Sequence, residues 1–524
     1  MRGSRSFGTL PSFEAEILKQ SWLELTLVLV ALAALAGLTT AYVNHSGWTL
    51  YYGDAEAHLN IARRIVDGRR PGYNQIGTVW LPLPHLLMLP LVGNDRLWRS
   101  GLAGAIPSSA CFVCAGVFLY AALRRATGSW AAALGSLGLL VFNPNLLYLQ
   151  ASPMTETVVL AALMALLYFT VVFRDTDSWA AVIGAGLASI AASLARYEGW
   201  FVIPFVAIYF LMAGRKQRIG AALLFSAIAA LGPLYWLGHN WWLYSNPLEF
   251  FNGPYAAMSI YRRALAQNMA PYRGDHDWRA AWLYYRTAAW MCTGSVAVVI
   301  AVAGLAGVVL KRVFWPVLLA ALPPLFYIWS MHSGGTPIYV PALWPYSYYN
   351  TRYALTALPL LAIAGGCLVL VVNERWRPWL AVAILFAAAA PWLIRPRPND
   401  WVTWKESQIN SLTRRAWTQA AAQALTTVYG PRTGIVTSFG DLIGILRVAG
   451  IPLHQALYDD GGPEWAAATT RPDLFLHEAW AVAVAGDPVA TAVQKLAFKS
   501  GPRYYLVQAI KVKGAPVIEI YKRN

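Results

Sequence analysis

About eleven stretches of the chain are long and apolar enough to read as membrane crossings, and no other feature constrains the fold so tightly. They are about 22–43, 102–123, 129–148, 156–173, 179–195, 199–213, 219–238, 287–310, 313–331, 353–372 and 379–394. A spanning helix needs about 20 largely apolar residues, fewer where neighbouring helices shield a broken one. Composition agrees: 13% of residues are charged and mean hydropathy is +0.45, whereas soluble chains carry about 25% charge. A string of soluble domains, a coiled coil, a collagen, a disordered chain and a small disulfide scaffold are all excluded. Cys111, Cys114, Cys292 and Cys367 fall inside apolar runs, so no disulfide framework is implied. Cys111 and Cys114 have metal-like spacing but lack a second ligand pair, and read as small helix residues.

The net charge of +16 would suggest nucleic acid for a soluble protein. In a chain that crosses the membrane many times, Lys and Arg gather instead in cytoplasmic turns and beside anionic headgroups, so membrane lipids are the expected partner and nucleic acid is not. The short links Arg124-Arg125, Arg174, Arg215–Arg218, Lys311-Arg312 and Arg375/Arg377 fall on one side at every second crossing. That side reads as cytoplasmic, which puts the N-terminus inside and the C-terminus outside the cell membrane. The long loops 44–101 and 239–286 would then be outer loops, and both carry arginines against this trend. An outer arginine cluster calls for an anionic partner.

From about residue 395 the texture changes. A helical stretch from Trp401 to Val428 precedes short β-rich runs at 434–438, 481–484, 504–507 and 517–521, with a helix expected over Pro488–Phe498. The expected architecture is a polytopic α-helical membrane domain, 1–394, followed by a soluble α/β domain, 395–524. No internal repeat is visible.

The first long loop holds Asp54-Ala55-Glu56-Ala57-His58 and then Ala62-Arg63-Arg64. Leu59, Ala62 and Ile65/Val66 recur at helical spacing, so an amphipathic interfacial helix is expected, with Asp54 at its N-cap. Asp54 and His58 share a face, and Asp54 and Glu56 converge only if the helix begins after Asp54. Two carboxylates beside a histidine also suit a divalent metal. Pro82 and Pro84 then predict a kinked, non-helical segment around His85. Further on, Asn143-Pro144 makes a turn and Glu156 heads a span, where it either favours the helix dipole or serves a site. Arg196-Tyr197-Glu198 and Arg352-Tyr353 sit at the ends of spans, as interfacial ion pairs or as functional groups.

In this order the residues resemble the GT-C membrane glycosyltransferases, of the protein O-mannosyltransferase and aminoarabinose-transferase type. The resemblance covers most of 20–395, and the acidic loop is its specific part. The family often has adjacent Asp-Glu, where this chain has Asp54-Ala55-Glu56. Matching on Ala62-Arg63 selects Asp54 as the base, and matching on Glu-x-His selects Glu56. The resemblance implies a GT-C-like fold with an outer α/β tail, and a polyprenyl-phosphate sugar as donor. It implies transfer to a hydroxyl on a glycan, lipid or protein, with inversion and a carboxylate base. Asp54 and Glu56 are the catalytic candidates; His58, Arg63, His85, Glu156, Arg196, Glu198, Arg352 and Tyr353 are the donor-binding ones. No cofactor is required, although a divalent metal is compatible.

The chemistry suits these residue types. A hydroxyl must lose its proton as the new bond forms, which a carboxylate can accept. A departing lipid phosphate is best held by arginines, which fork onto two oxygens and keep their charge. Three other readings remain: a transporter, a lipid flippase, and an oligosaccharyltransferase-like enzyme. Transporters of this size typically carry inverted repeats, and the tail shows no Trp-Trp-Asp-type motif.

Overall fold

The computed structural model describes residues 11–394, 397–430, 433–497 and 503–524. The boundary expected at 395 and the helix end expected at Phe498 lie outside the described residues. The membrane part is built from α1 (Pro11–His45), α5 (Leu102–Thr127), α6 (Trp130–Val141), α7 (Pro144–Gln150), α8 (Glu156–Thr176), α9 (Trp179–Ala195), α10 (Glu198–Ala213), α11 (Arg218–Tyr244), α14 (Trp278–Thr293), α15 (Ser295–Leu310), α16 (Phe314–His332), α17 (Ala357–Gly366) and α18 (Arg377–Ile394). Between them lie α2 (Gly53–Asp67), α3 (Leu83–Val92) and α4 (Asp95–Ser100) in the first long loop, and α12 (Glu249–Asn252) and α13 (Ala257–Ala266) in the second.

The span count differs from the eleven expected. Among the described residues seven helical stretches are long and apolar enough to cross a membrane, or nine if each bent pair is one crossing. The pairs are α6–α7, bent by 70°, and α14–α15, bent by 103°. Local chemistry explains both. Asn143 caps α7 by accepting from the amides of Asn145 and Leu146, with Pro144 in the first turn. Gly294 leaves α14 at φ 84°, a conformation that a side chain resists. The remaining expected spans are α9 and α10, at 17 and 16 residues.

Small residues set the helix spacing. A Cβ on Gly304 or Gly307 of α15 would lie 1.9 Å from the Ala364 or Cys367 carbonyl oxygen, so glycine lets α15 approach the backbone of residues 364–367.

The first long loop departs from expectation at two places. The helix α2 begins at Gly53 with Tyr52 as its N-cap and no side-chain capping bond, so Asp54 lies within the first turn rather than capping it. Helix α3 forms despite Pro84, because proline in a first turn gives up an amide that has no helical partner anyway.

The C-terminal part opens with α19 (Val402–Val428) and continues with α20 (Ile443–Ala449), α21 (Pro463–Thr470), α22 (Pro472–Phe475) and α23 (Pro488–Ala497). A five-stranded sheet runs β2-β1-β3-β5-β4, from β1 (Ile435–Thr437), β2 (Ala456–Leu457), β3 (Trp480–Val484), β4 (Tyr504–Ile510) and β5 (Ile518–Arg523). Strands β1, β2 and β3 are parallel, while β5 pairs antiparallel with β3 and β4. This part shares a core with the first long loop: Leu59, Ala62, Met88 and Trp98 pack in one cluster with Trp417, Leu425, Ile443 and Leu446. Burying these side chains, each worth about 1.5–3 kcal/mol, fixes the loop and α19 against one another.

Candidate active site

Four separate segments bring charge to one end of the bundle. Asp54 comes from the first turn of α2, Glu156 from the head of α8, and Arg196 and Glu198 from the turn between α9 and α10. Arg352 comes from the 3₁₀ turn Thr351–Thr356 that leads into α17. Arg352 pairs with Asp54, places Nε 3.1 Å from Glu156 Oε1, and places Nη1 3.4 Å from Glu406 Oε1. Arg196 Nη1 lies 3.1 Å from the same Glu156 oxygen and its Nε lies 2.8 Å from Glu198. The two guanidinium groups flank the Tyr353 ring at 4.8 and 4.7 Å, and Arg352 also lies over Tyr52 at 5.0 Å. Arg352, Glu156 and Glu198 are buried, whereas the Asp54 side chain is 41% exposed. Asp54 is therefore the carboxylate in this cluster that solvent reaches.

An apolar groove leaves this cluster. Leu160, Leu163, Met164 and Leu167 of α8 form one wall, and Leu319, Pro323, Leu355 and Pro359 form the other. Its cavity volume is about 50 Å³, and Arg196, Arg352, Glu156 and Glu198 line its charged end.

Glu56, the rival carboxylate, is elsewhere. It is two residues from Asp54 on the same helix, so the two point to opposite sides. Glu56 is buried and held by Arg414 of α19 and by Arg447 of α20, at 2.8 Å from Nη2 of the latter. Arg63 is also committed to structure. It donates to Asp67, Asp95 and the carbonyls of Val92 and Gly93, and stacks on Trp98 at 4.5 Å. His58 and His85 hydrogen-bond each other at 2.9 Å, and both are buried. Burial, reinforced by Arg196 and Arg352, lowers His58 to about 3. Among the described residues no group of three His, Cys, Asp or Glu side chains is placed to hold a metal ion.

Glu406 is the participant that sequence reasoning missed. It accepts from the Asn350 and Thr351 amides at 2.9 and 2.8 Å and from the Thr351 hydroxyl, which sets the turn carrying Arg352. Burial raises its carboxyl, against the pull of Arg352 and of these hydrogen bonds. A signal was present. Val402, Glu406, Ser407, Ser411, Arg414, Thr418, Ala421 and Leu425 form one buried stripe on α19, and two charges on such a stripe need partners.

The segment 96–242 matches the dolichyl-phosphate-mannose-protein mannosyltransferase family model. Among solved structures, ArnT from Cupriavidus metallidurans bound to undecaprenyl phosphate is similar at TM-score 0.53 and 13% identity, over 92% of this chain and 97% of that one. The apo form of that protein gives 0.51 with the same identity and coverage. The fold is that of the GT-C glycosyltransferases. The oligosaccharyltransferase of Archaeoglobus fulgidus in its apo form is similar at 0.44 and 12% identity, over 87% of this chain and 69% of that one. No curated protein matches in sequence. The family-model segment contains Glu156, Arg196 and Glu198, while Asp54, Arg352 and Glu406 lie outside it.

Proposed function

We propose that this multi-pass membrane protein is a glycosyltransferase that moves one sugar from a polyprenyl-phosphate donor to a hydroxyl acceptor. One observation carries the reading: the apolar groove ends on two arginines, and a solvent-reachable carboxylate lies beside them. A prenyl tail fits the leucine-lined walls, and the phosphate fits Arg196 and Arg352. ArnT from C. metallidurans, of the same fold, was solved with undecaprenyl phosphate bound.

In the proposed reaction Asp54 accepts the acceptor's proton as the acceptor oxygen bonds to the sugar's anomeric carbon. The bond from that carbon to the phosphate oxygen breaks, and its electron pair leaves on the lipid phosphate. Arg196 and Arg352 hold the departing charge. Attack from the face opposite the phosphate inverts the anomeric centre. A phosphate on Arg352 also displaces Asp54 from that guanidinium and frees the carboxylate to act as base. The site is assigned to the extracytoplasmic side, with 395–524 as an outer domain and the N-terminus inside, because the basic turns gather at the other ends of the spans.

The test is transfer itself. The full chain in phosphatidylcholine nanodiscs, given a set of undecaprenyl-phosphate sugars and envelope extract as acceptor, should release undecaprenyl phosphate. Movement of intact donor across proteoliposomes without such release would replace the enzyme by a transporter.

A further inference from the structure

A second cleft lies on the other side of α2. Its walls are the end of α1 (Asn44), the α1–α2 link (Thr49, Tyr51), the end of α4 (Arg99, Ser100), α19 and α20, and its cavity volume is about 630 Å³. Four guanidinium groups line it, Arg99, Arg414, Arg415 and Arg447, against the single carboxylate of Glu56. Asp441 is near Arg414 but is not among the lining residues.

The four arginines are not equivalent. Arg414 and Arg447 are committed: both grip Glu56, Arg414 donates to the carbonyls of Leu50 and Tyr51, and Arg447 donates to the Arg99 carbonyl. Arg99 and Arg415 have no carboxylate partner among the described residues. Arg99 donates one hydrogen bond, to the Val448 carbonyl at 3.1 Å. Arg415 donates one, from Nε to Ser411 at 3.0 Å, and lies over the Tyr51 ring at 3.8 Å. A guanidinium has five N–H donors, so most of the donors on these two groups are unspent.

One buried polar side chain also borders the cleft. Thr418 lines the cleft and is 5% exposed, and its hydroxyl has no hydrogen-bond partner among the described residues. A threonine inside a helix usually bonds back to the preceding turn, as Thr426 of the same helix does to the Ala422 carbonyl at 2.8 Å.

We propose that this cleft is a binding site for a phosphate group, distinct from the donor site, with Arg99 and Arg415 as its free donors. Arginine forks match tetrahedral oxyanions, and Arg414 and Arg447 add positive field from behind. The position agrees: Asn44 and Gly47 mark the end of α1, so the cleft opens at the level where a bilayer carries its phosphates. The ligand is a phosphate-bearing headgroup or free phosphate. This inference does not depend on the proposed transfer reaction.

The experiment uses full-length protein in phosphatidylcholine nanodiscs, with dioleoyl phosphatidic acid as one probe and inorganic phosphate as the other, read by native mass spectrometry and by competition. The double variant Arg99→Gln/Arg415→Gln should bind phosphatidic acid at least tenfold more weakly. Thr418→Val, which changes no charge, should bind as wild type does. Arg262→Gln/Arg263→Gln, with the same loss of charge on α13, should match wild type. Displacement by millimolar phosphate assigns the cleft to the phosphate group itself, and retention of the lipid assigns it to the headgroup. Absence of saturable binding by either probe overturns the proposal. So does equal binding by wild type and the double variant.

Discussion

Arg352 Nε lies 3.1 Å from Glu156 Oε1, joining two residues 196 positions apart. Arg196 donates to the same oxygen at 3.1 Å, while the other oxygen of Glu156 is buried without a partner among the described residues. One carboxylate thus holds two guanidinium groups side by side at the mouth of an apolar groove. Without it the two cations would repel one another in a poorly solvated place. Their geometry is set in advance, so in the proposed reading a donor phosphate binds with a lower cost of ordering.

Arg352→Ala should weaken binding of undecaprenyl phosphate by about 2–5 kcal/mol, as for a desolvated charge pair that loses one member. It should also lower the melting temperature, because Glu406 and Glu156 lose their shared cation. Arg352→Lys should restore stability more than affinity, since an ammonium cannot fork onto two oxygens. Titration of the lipid into purified variants separates the two effects, and equal affinity in wild type and Arg352→Ala would remove this residue from the donor site.

The groove makes a length-dependent prediction. Leu167 lines it and is fully buried, 11 residues along α8 from Glu156, or about 16 Å at 1.5 Å per residue. Leu167→Trp should cut undecaprenyl-phosphate affinity tenfold or more and leave geranyl phosphate, too short to reach it, within twofold. Unchanged binding of the long lipid would place the prenyl chain elsewhere.

Much of this arrangement was legible in the sequence because spans and short basic turns are composition signals. Glu156, Arg196, Glu198 and Arg352 could be singled out as ionisable residues at the ends of apolar runs, and the structure gathers them. Glu406 could not be placed, since nothing local tells which distant turn a helix carboxylate will hold. The role of Glu56 was hidden for the same reason: Arg414 and Arg447 lie more than 350 residues away. Four of the eleven expected spans are not single long helices: two bend, at Asn143-Pro144 and Gly294, which left hydropathy intact and changed only direction, and two, α9 and α10, are short.

His58 gives a pH signature. Its folded value is lowered to about 3, chiefly by burial, from an ordinary 6.5. A lowered value means that the unfolded chain takes up a proton which the folded chain refuses. The contribution of neutral His58 is therefore fully present above about pH 6.5 and is lost as pH falls toward 3. The melting temperature of wild type should drop between pH 7 and 4.5, and His58→Asn should show a smaller drop. An identical drop in both proteins would show that His58 does not contribute.

Orientation can be read directly. A fluorescent protein that matures only in the cytoplasm, fused after Asn524, should stay dark if the C-terminal sheet lies outside. Bright cells would invert the arrangement and put the arginine cluster on the cytoplasmic side, where a nucleotide sugar is the more available donor.

The base is decided by two amide substitutions on one helix. Asp54→Asn keeps the size of the side chain, has no capping bond to lose, and leaves Arg352 paired with Glu156 and Glu406. If Asp54 takes the acceptor proton, transfer should fall about 10²–10⁴-fold with the melting temperature little changed. Glu56→Gln should do the reverse. Glu56 is the carboxylate between Arg414 and Arg447, and removing its charge leaves two buried guanidinium groups facing each other. Breaking such a pair costs about 3–5 kcal/mol, so the melting temperature should fall by several degrees, while turnover per folded molecule stays within tenfold of wild type. Measuring transfer and unfolding on the same preparations distinguishes the roles. Loss of turnover in Glu56→Gln at unchanged stability would exchange the two assignments, and full transfer by both variants would end the carboxylate mechanism.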